Sequence, residues 1–325
     1  MGSLKPRKCG FFVFIMTFHF KSFFAFFIIL LSLPDISGNA SEYSPPQYLS
    51  RKSNRNTSPK LFLKTFLPPP ILESSGLVYT DDKLWTHNDK GGAPAIFNID
   101  TLTGAIKQTV IIDNYPNIDW EDITADQDHI YIGDFGNNYG IRKDLKVLII
   151  DKSSISNDPV IHVNAKAISF SYADQFKFVK NKRNDFDCES IISLGDNLYL
   201  FTKDRNDNKT RVYRVPKALG TYKINPYTGF NVNGRICGAS YNPETRELAL
   251  IGYMPYTTNS FLWLMDDFEG DQFFSGSKKR IEIGKNKTNW KTEGITYQSN
   301  SRLFISCEAT ETEKAALYIY VSEKK

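Results

Sequence analysis

Cysteine, histidine, methionine and tryptophan are scarce in this sequence, at four residues each among 325. Cys9 and His19 fall within the first forty residues, so the folded part has three of each. An odd cysteine count excludes a closed disulfide framework, and no Cys-x-x-Cys pair offers a zinc or redox site. Cys188, Cys237 and Cys307 each adjoin an apolar run and read as buried small hydrophobes. The Gly-x-Ser-x-Gly elbow, the phosphate-binding P-loop and His-Glu-x-x-His are all missing, which sets aside the commonest serine-hydrolase, nucleotide and zinc-protease chemistries. Charge of one sign is missing too. The net charge is +4, and Lys5, Arg7, Lys8, Lys21, Lys324 and Lys325 at the ends supply much of it. The folded part is therefore close to neutral, and its overall charge calls for neither nucleic acid nor an acidic membrane surface as a partner.

The N-terminus carries an address. Phe11 to Leu33 is apolar and aromatic, with a continuous core from Phe23 flanked by Lys21. That core has the length of a signal-peptide hydrophobic region, and Ser37, Gly38 and Ala40 supply small residues for cleavage near Ala40. The alternative is one membrane anchor, which needs about 20 apolar residues. The expectation is a signal peptide over 1–40, a disordered Ser/Pro/Asn/Lys-rich spacer over 41–59 and a folded domain over 60–325. The product would be secreted, periplasmic or on the cell surface, monomeric, and without stable membrane insertion after cleavage.

Internal repetition is the richest signal. Glu73-Ser74-Ser75-Gly76-Leu77, Glu121-Asp122-Ile123-Thr124, Glu189-Ser190-Ile191-Ile192, Gly238-Ala239-Ser240-Tyr241 and Glu293-Gly294-Ile295-Thr296 each lead through a polar turn to a second apolar run. Their spacing is near the roughly 40–50 residues of a propeller blade, apart from one longer step with room for a loop around Ser153 to Val163. The expected fold is all-β, a five-bladed β-propeller, with a six-bladed ring or an open sandwich as alternatives. The fifth unit lacks a fourth strand, because the chain stops soon after Val321. Lys60 to Phe66, ahead of the first unit, is expected to close the ring by pairing with the last blade, which would remove an open edge.

In a propeller the first strand of each blade lines the central channel. Glu73, Glu121, Glu189 and Glu293 should then converge on one mouth, with Asp122 and Asp134 nearby. Several carboxylates cannot all ionise in a small space without a cation. Ca²⁺, a hard ion that takes carboxylate and amide oxygens, resolves this. The competing expectation is that the Glu side chains cap backbone amides of neighbouring blades. His87, in a polar Gly-rich turn, is a candidate general base or a turn residue. Lys203, Arg205 and Arg142 bring positive charge to the same face, which suits phosphate or another anion.

The segments Leu84-Trp85-Thr86-His87-Asn88-Asp89, Asp119-Trp120-Glu121-Asp122-Ile123 and Tyr131-Ile132-Gly133-Asp134-Phe135-Gly136-Asn137-Asn138 resemble a family of secreted bacterial propellers without an assigned activity. The Glu-Gly-Ile opening is also similar to phytase-like esterases and to SdiA-regulated propellers. Those resemblances imply a calcium-dependent phosphoesterase, and the chain departs from them at Gly238, where the acidic residue is missing.

Three readings follow. The first is a module that binds a small molecule, glycan or protein at an acidic, Ca²⁺-loaded mouth. The second is an extracellular metal-dependent hydrolase of phosphate esters, with His87, Glu121, Lys203 and Arg205 as catalytic candidates. The third is a five-bladed glycosidase, which needs two or three carboxylates at a defined separation.

Overall fold

Short runs rich in Val, Ile, Leu, Phe and Tyr, punctuated by polar turns, favour strands. A computed structural model describes residues 61–257, 259–284 and 290–322. Lys152–Ser154, a single 3-10 turn, is the only helical segment among them. The expected signal peptide and spacer, 1–59, lie outside the described residues. No helix among the described residues is long and apolar enough to cross a membrane.

β1 (Leu61–Phe66) precedes the first repeat. Blade one is β2 (Ser74–Thr80), β3 (Lys83–Asn88), β4 (Ala95–Ile99) and β5 (Ile106–Ile112). Blade two is β6 (Trp120–Ala125), β7 (His129–Asp134), β8 (Lys146–Asp151) and, after β9 (Val160–Val163), β10 (Lys166–Tyr172). Blade three is β11 (Cys188–Leu194), β12 (Asn197–Thr202), β13 (Thr210–Pro216) and, after β14 (Thr221–Ile224), β15 (Pro226–Phe230). Blade four is β16 (Arg235–Asn242), β17 (Glu247–Tyr253), β18 (Ser260–Asp266) and β19 (Ser277–Glu282). Blade five is β20 (Thr292–Ser299), β21 (Arg302–Cys307) and β22 (Ala316–Val321), completed by β1. The ring has five blades, so the six-bladed alternative falls.

Two insertions become extra outer strands. β9, in the long step, pairs parallel to β5, and β14 pairs parallel to β10. β14 thus belongs to blade two although it follows β13 in the chain, and β15 takes the fourth place in blade three.

The buried apolar residues form five clusters, each between two neighbouring blades. On β12, Leu198 and Leu200 pack toward blade two, while Tyr199 and Phe201 pack toward blade four. Successive strand residues point to opposite faces, and here a neighbouring blade covers both faces. That is why Leu198-Tyr199-Leu200-Phe201 is continuously apolar rather than alternating. Each such side chain stabilises the fold by roughly 1.5–3 kcal/mol.

β1 closes the ring as expected, antiparallel to β22, with Leu61 opposite Tyr320 and Phe66 opposite Ala316. A chain beginning at Leu67 leaves the β22 edge unpaired. It should melt at lower temperature than the intact chain and self-associate more, by calorimetry and size-exclusion chromatography. An unchanged melting temperature and elution would contradict the closure.

Candidate functional site

In every blade the innermost strand breaks register with its neighbour near its start. The breaks fall between Ser74 and Gly76, Trp120 and Asp122, Cys188 and Ser190, Ile236 and Gly238, and Thr292 and Ile295. Ser75, Glu121, Glu189, Cys237 and Glu293 therefore occupy equivalent bulges. A bulge re-aims the extra side chain. The innermost strands pack side by side around the ring. Their backbones come so close beyond the bulge that a Cβ on Gly238 would lie 2.3 Å from the Glu293 carbonyl oxygen.

Ser75, Glu121, Glu189 and Glu293 open into a cavity of about 260 Å³. Asp89, Lys203, Tyr253 and Glu308, each just past or at the end of a second strand, line it as well, with Lys90, Asn138, Arg205 and Lys291. Three of the four expected glutamates converge. Glu73 does not: it is exposed, two residues ahead of the bulge, and Ser75 holds its place. Cys237 fills the fourth-blade bulge, and its buried thiol donates to the Thr292 carbonyl at 2.9 Å.

One side of the cavity is charge-compensated. The Lys203 ammonium lies 2.6 Å from Glu189, and Arg205 lies 2.7 Å from Asp187. Lys291 pairs with Glu308. Burial works against the Lys203 ammonium, yet Glu189 holds its pKa well above the ordinary lysine value. Tyr253 adds its ring, 5.6 Å from the Lys203 nitrogen.

The other side is not compensated in this way. Carboxylate oxygens of Asp89, Asp119 and Glu121 lie within 4.8 Å of one another. Their nearest cation is the exposed Lys90, 3.8 Å from Asp119 Oδ1. That oxygen is buried and makes no hydrogen bond. Gly136 lets the two buried acids approach, since a Cβ there would lie 2.1 Å from Glu121 Oε1 and 2.7 Å from Asp119 Oδ2. Burial pushes the Asp119 carboxyl up to about 6. Burial, then the Glu189 charge, pushes Glu121 well above the ordinary range. Two further groups, Glu121–Asp187–Glu189 and Asp185–Asp204–Asp207, are also close enough to hold a metal ion, but Arg205, Lys203, Arg211 and Lys209 already pair within them.

The remaining expected residues sit elsewhere. Asp122 follows the bulge and is fully buried, accepting from its own Ile123 N–H at 2.8 Å and from Ile191 N–H of blade three at 2.9 Å. It ties two blades together through their amides rather than facing the mouth as a metal ligand. Asp134 is buried between Arg142 at 2.9 Å and Lys146 at 3.2 Å, and neither it nor Arg142 lines the cavity. His87 is fully buried and does not line the cavity; it stands edge-on to Trp120 at 5.8 Å, with Nδ1 2.9 Å from the Asn88 carbonyl oxygen. Burial lowers its pKa to about 4, so the ring is neutral.

The sequence reading passed over Lys90 and Lys291. Lys291 stands two residues before its bulge, as Asp119 and Asp187 do, and that common offset was the available signal.

Glu293 yields a pH prediction. Burial, then the Glu308 charge, pushes its carboxyl up to about 7. Between its unfolded value near 4.5 and about 7, the folded state binds the extra proton, so stability falls as pH rises through that window. Glu293→Gln removes this loss, worth about 3 kcal/mol at most. Urea unfolding should show the variant gaining on the wild type at pH 8 but not at pH 5. An equal difference at both would contradict the assignment.

No family model matches the sequence, and no curated protein matches it. Among solved structures, the PQQ-bound aldose sugar dehydrogenase of Streptomyces coelicolor is similar over 81% of this chain and 98% of its own, at 11% identity and TM-score 0.45. An exo-β-1,3-galactanase of Phanerochaete chrysosporium with β-1,3-galactotriose is similar over 80% and 63%, at 8% identity and TM-score 0.48. The resemblances to phytase-like and SdiA-regulated propellers rest on the short segments quoted above, and no family model extends them.

Proposed function

We propose that the mouth binds Ca²⁺ through Asp89, Asp119 and Glu121 and, beside it, a small ligand bearing an anionic group. The observation that carries this reading is the buried, unbonded Asp119 Oδ1 within a group of three carboxylates whose oxygens lie within 4.8 Å. Oxygens that close can share one ion at the roughly 2.3–2.6 Å of Ca²⁺ coordination. Carboxylate and amide oxygens suit this hard cation, and the fit needs no cysteine or histidine. Lys203, Arg205 and Lys291 line a cavity with Asp89 and Glu121 and supply donors for a phosphate or carboxylate group.

A calcium-dependent phosphoester hydrolase is the second reading, favoured by Glu293. A carboxyl with a pKa of about 7 suits proton transfer near neutral pH. A bound Ca²⁺ would supply charge stabilisation for such chemistry. Lys203 and Arg205 would orient the anion and Glu293 would hold the proton.

The test is calorimetric titration with CaCl₂, then with inorganic phosphate in the presence and absence of CaCl₂. The proposal expects Ca²⁺ binding that Glu121→Gln weakens about tenfold or more and phosphate binding that Ca²⁺ strengthens. Absence of Ca²⁺ binding sinks the metal assignment. Phosphate binding indifferent to Ca²⁺ sinks the coupling. Turnover of a phosphate ester that chelator abolishes selects the hydrolase.

A further inference from the structure

The loop between β10 and β11 departs from the near-neutral character of the rest of the fold. Phe176 to Arg183 is exposed throughout and reads Phe-Lys-Phe-Val-Lys-Asn-Lys-Arg, with three apolar residues, four cations and no acid. Phe176 is 83% exposed and Val179 74%. Ile141 and Lys143, on the neighbouring loop after β7, are exposed as well. Apolar side chains clustered on the surface and rimmed by polar residues mark an interaction site, whereas scattered ones do not.

The two loops are tied to each other. Gln175 Nε2 donates to the Gly140 carbonyl at 2.8 Å, Asn181 N–H to the Tyr139 carbonyl at 2.9 Å, and Asn184 Nδ2 to the Asn138 carbonyl at 3.1 Å. Lys143 sits over the Phe178 ring at 4.8 Å, and Lys180 over the Tyr139 ring at 4.5 Å. The acids nearby are engaged elsewhere. Asp174 accepts from the Tyr213 hydroxyl, Asp185 pairs with Arg211, and Asp144 pairs with Arg142. The positive charge of the loop is therefore left for a partner.

We infer that this double loop docks the protein on an anionic phospholipid surface, with Phe176, Phe178 and Val179 in the headgroup–acyl boundary and the lysines on the phosphates. An interfacial surface accepts any apolar side chain and rewards lysines that keep their charge at headgroup level. Single-stranded nucleic acid would instead favour a groove lined by stacking rings, and Val179 and Ile141 offer no face for a base. Asn138 connects the patch to the cavity, because its side chain accepts from Arg205 at 2.6 Å and lines the mouth. Docking would therefore hold the mouth at the membrane surface. The inference is independent of Ca²⁺ binding.

The test is hydrogen exchange of the full chain with and without vesicles, read at the amides of Phe176 to Arg183. The local readout separates the loop from any effect of the N-terminal apolar run. Vesicles with about one-third phosphatidylglycerol in phosphatidylcholine should slow exchange there at least tenfold, and pure phosphatidylcholine should not. Both Phe176→Ser/Val179→Ser and Lys177→Glu/Lys180→Glu/Lys182→Glu should abolish the protection, with the melting temperature unchanged because all five residues are exposed. Unchanged exchange on anionic vesicles, equal protection on neutral ones, or protection that survives both variants would overturn the inference. Protection by single-stranded DNA without protection by anionic vesicles would assign the loop to nucleic acid and also overturn it.

Discussion

Lys203→Met should destabilise the fold by roughly 3–5 kcal/mol at pH 8, the cost of leaving a buried charge without its partner. Glu189 is 3% exposed, and Lys203, 2.6 Å away, is its closest counter-charge. Arg205 Nη2, at 3.7 Å, is shared with Asp187 and replaces that contact only in part. The variant can relieve the cost by protonating Glu189, whose pKa burial already raises. Loss of the ammonium raises it further. A raised folded-state carboxyl pKa costs stability above that pKa and not below it, so the gap to the wild type should narrow as pH falls toward 5. Lys203→Met/Glu189→Gln, which removes both charges, should recover most of the loss at pH 8. Urea unfolding of the three proteins at the two pH values checks this. A single variant within about 0.5 kcal/mol of the wild type at pH 8 would show that the pair is solvated rather than buried.

Removing Glu121 should have the second large effect. Ca²⁺ affinity depends on the number of charged ligands, and extracellular modules bind with Kd of roughly 10⁻⁴–10⁻³ M. Glu121→Gln leaves two carboxylates of three and should weaken Ca²⁺ at least about tenfold, or about 1.4 kcal/mol. Saturating Ca²⁺ should raise the melting temperature of the wild type, since an ion at about 100 times Kd adds about 2.7 kcal/mol. At the same Ca²⁺ concentration Glu121→Gln, at about 10 times its weakened Kd or less, should gain no more than about 1.4 kcal/mol. Affinity should also fall as pH drops through about 6, where Asp119 takes up its proton and ceases to be a ligand. Glu73→Gln should leave affinity intact, because Glu73 is not one of the three close carboxylates. A Glu73→Gln variant that loses Ca²⁺ binding while Glu121→Gln keeps it would reverse the geometry described above.

The blade count and the closing strand were legible because both rest on local pattern. Apolar runs at a near-constant spacing name the strands, and an unpaired edge at one end demands the segment at the other. The position of the first acid was not legible from the opening letter of the repeat. Aligning Glu73 with Glu121 ignores the bulge itself, after which Gly76, Asp122, Ser190, Gly238 and Gly294 hold equivalent places. Aligned on those places, Ser75 falls opposite Glu121. The place of Thr221–Ile224 beside β10 was not legible either, because a strand's composition does not say which blade it joins. Asp122 and Asp134 carry the charge of metal ligands but spend it on neighbours fixed only by tertiary structure, two backbone amides for one and Arg142 with Lys146 for the other.

The most direct measurement is the electron density of crystals grown with CaCl₂, compared with crystals grown in chelator. A calcium-dependent peak about 2.3–2.6 Å from oxygens of Asp89, Asp119 and Glu121 is the predicted result. A mouth that shows no such peak, with Lys90 instead closed onto Asp119, would contradict it.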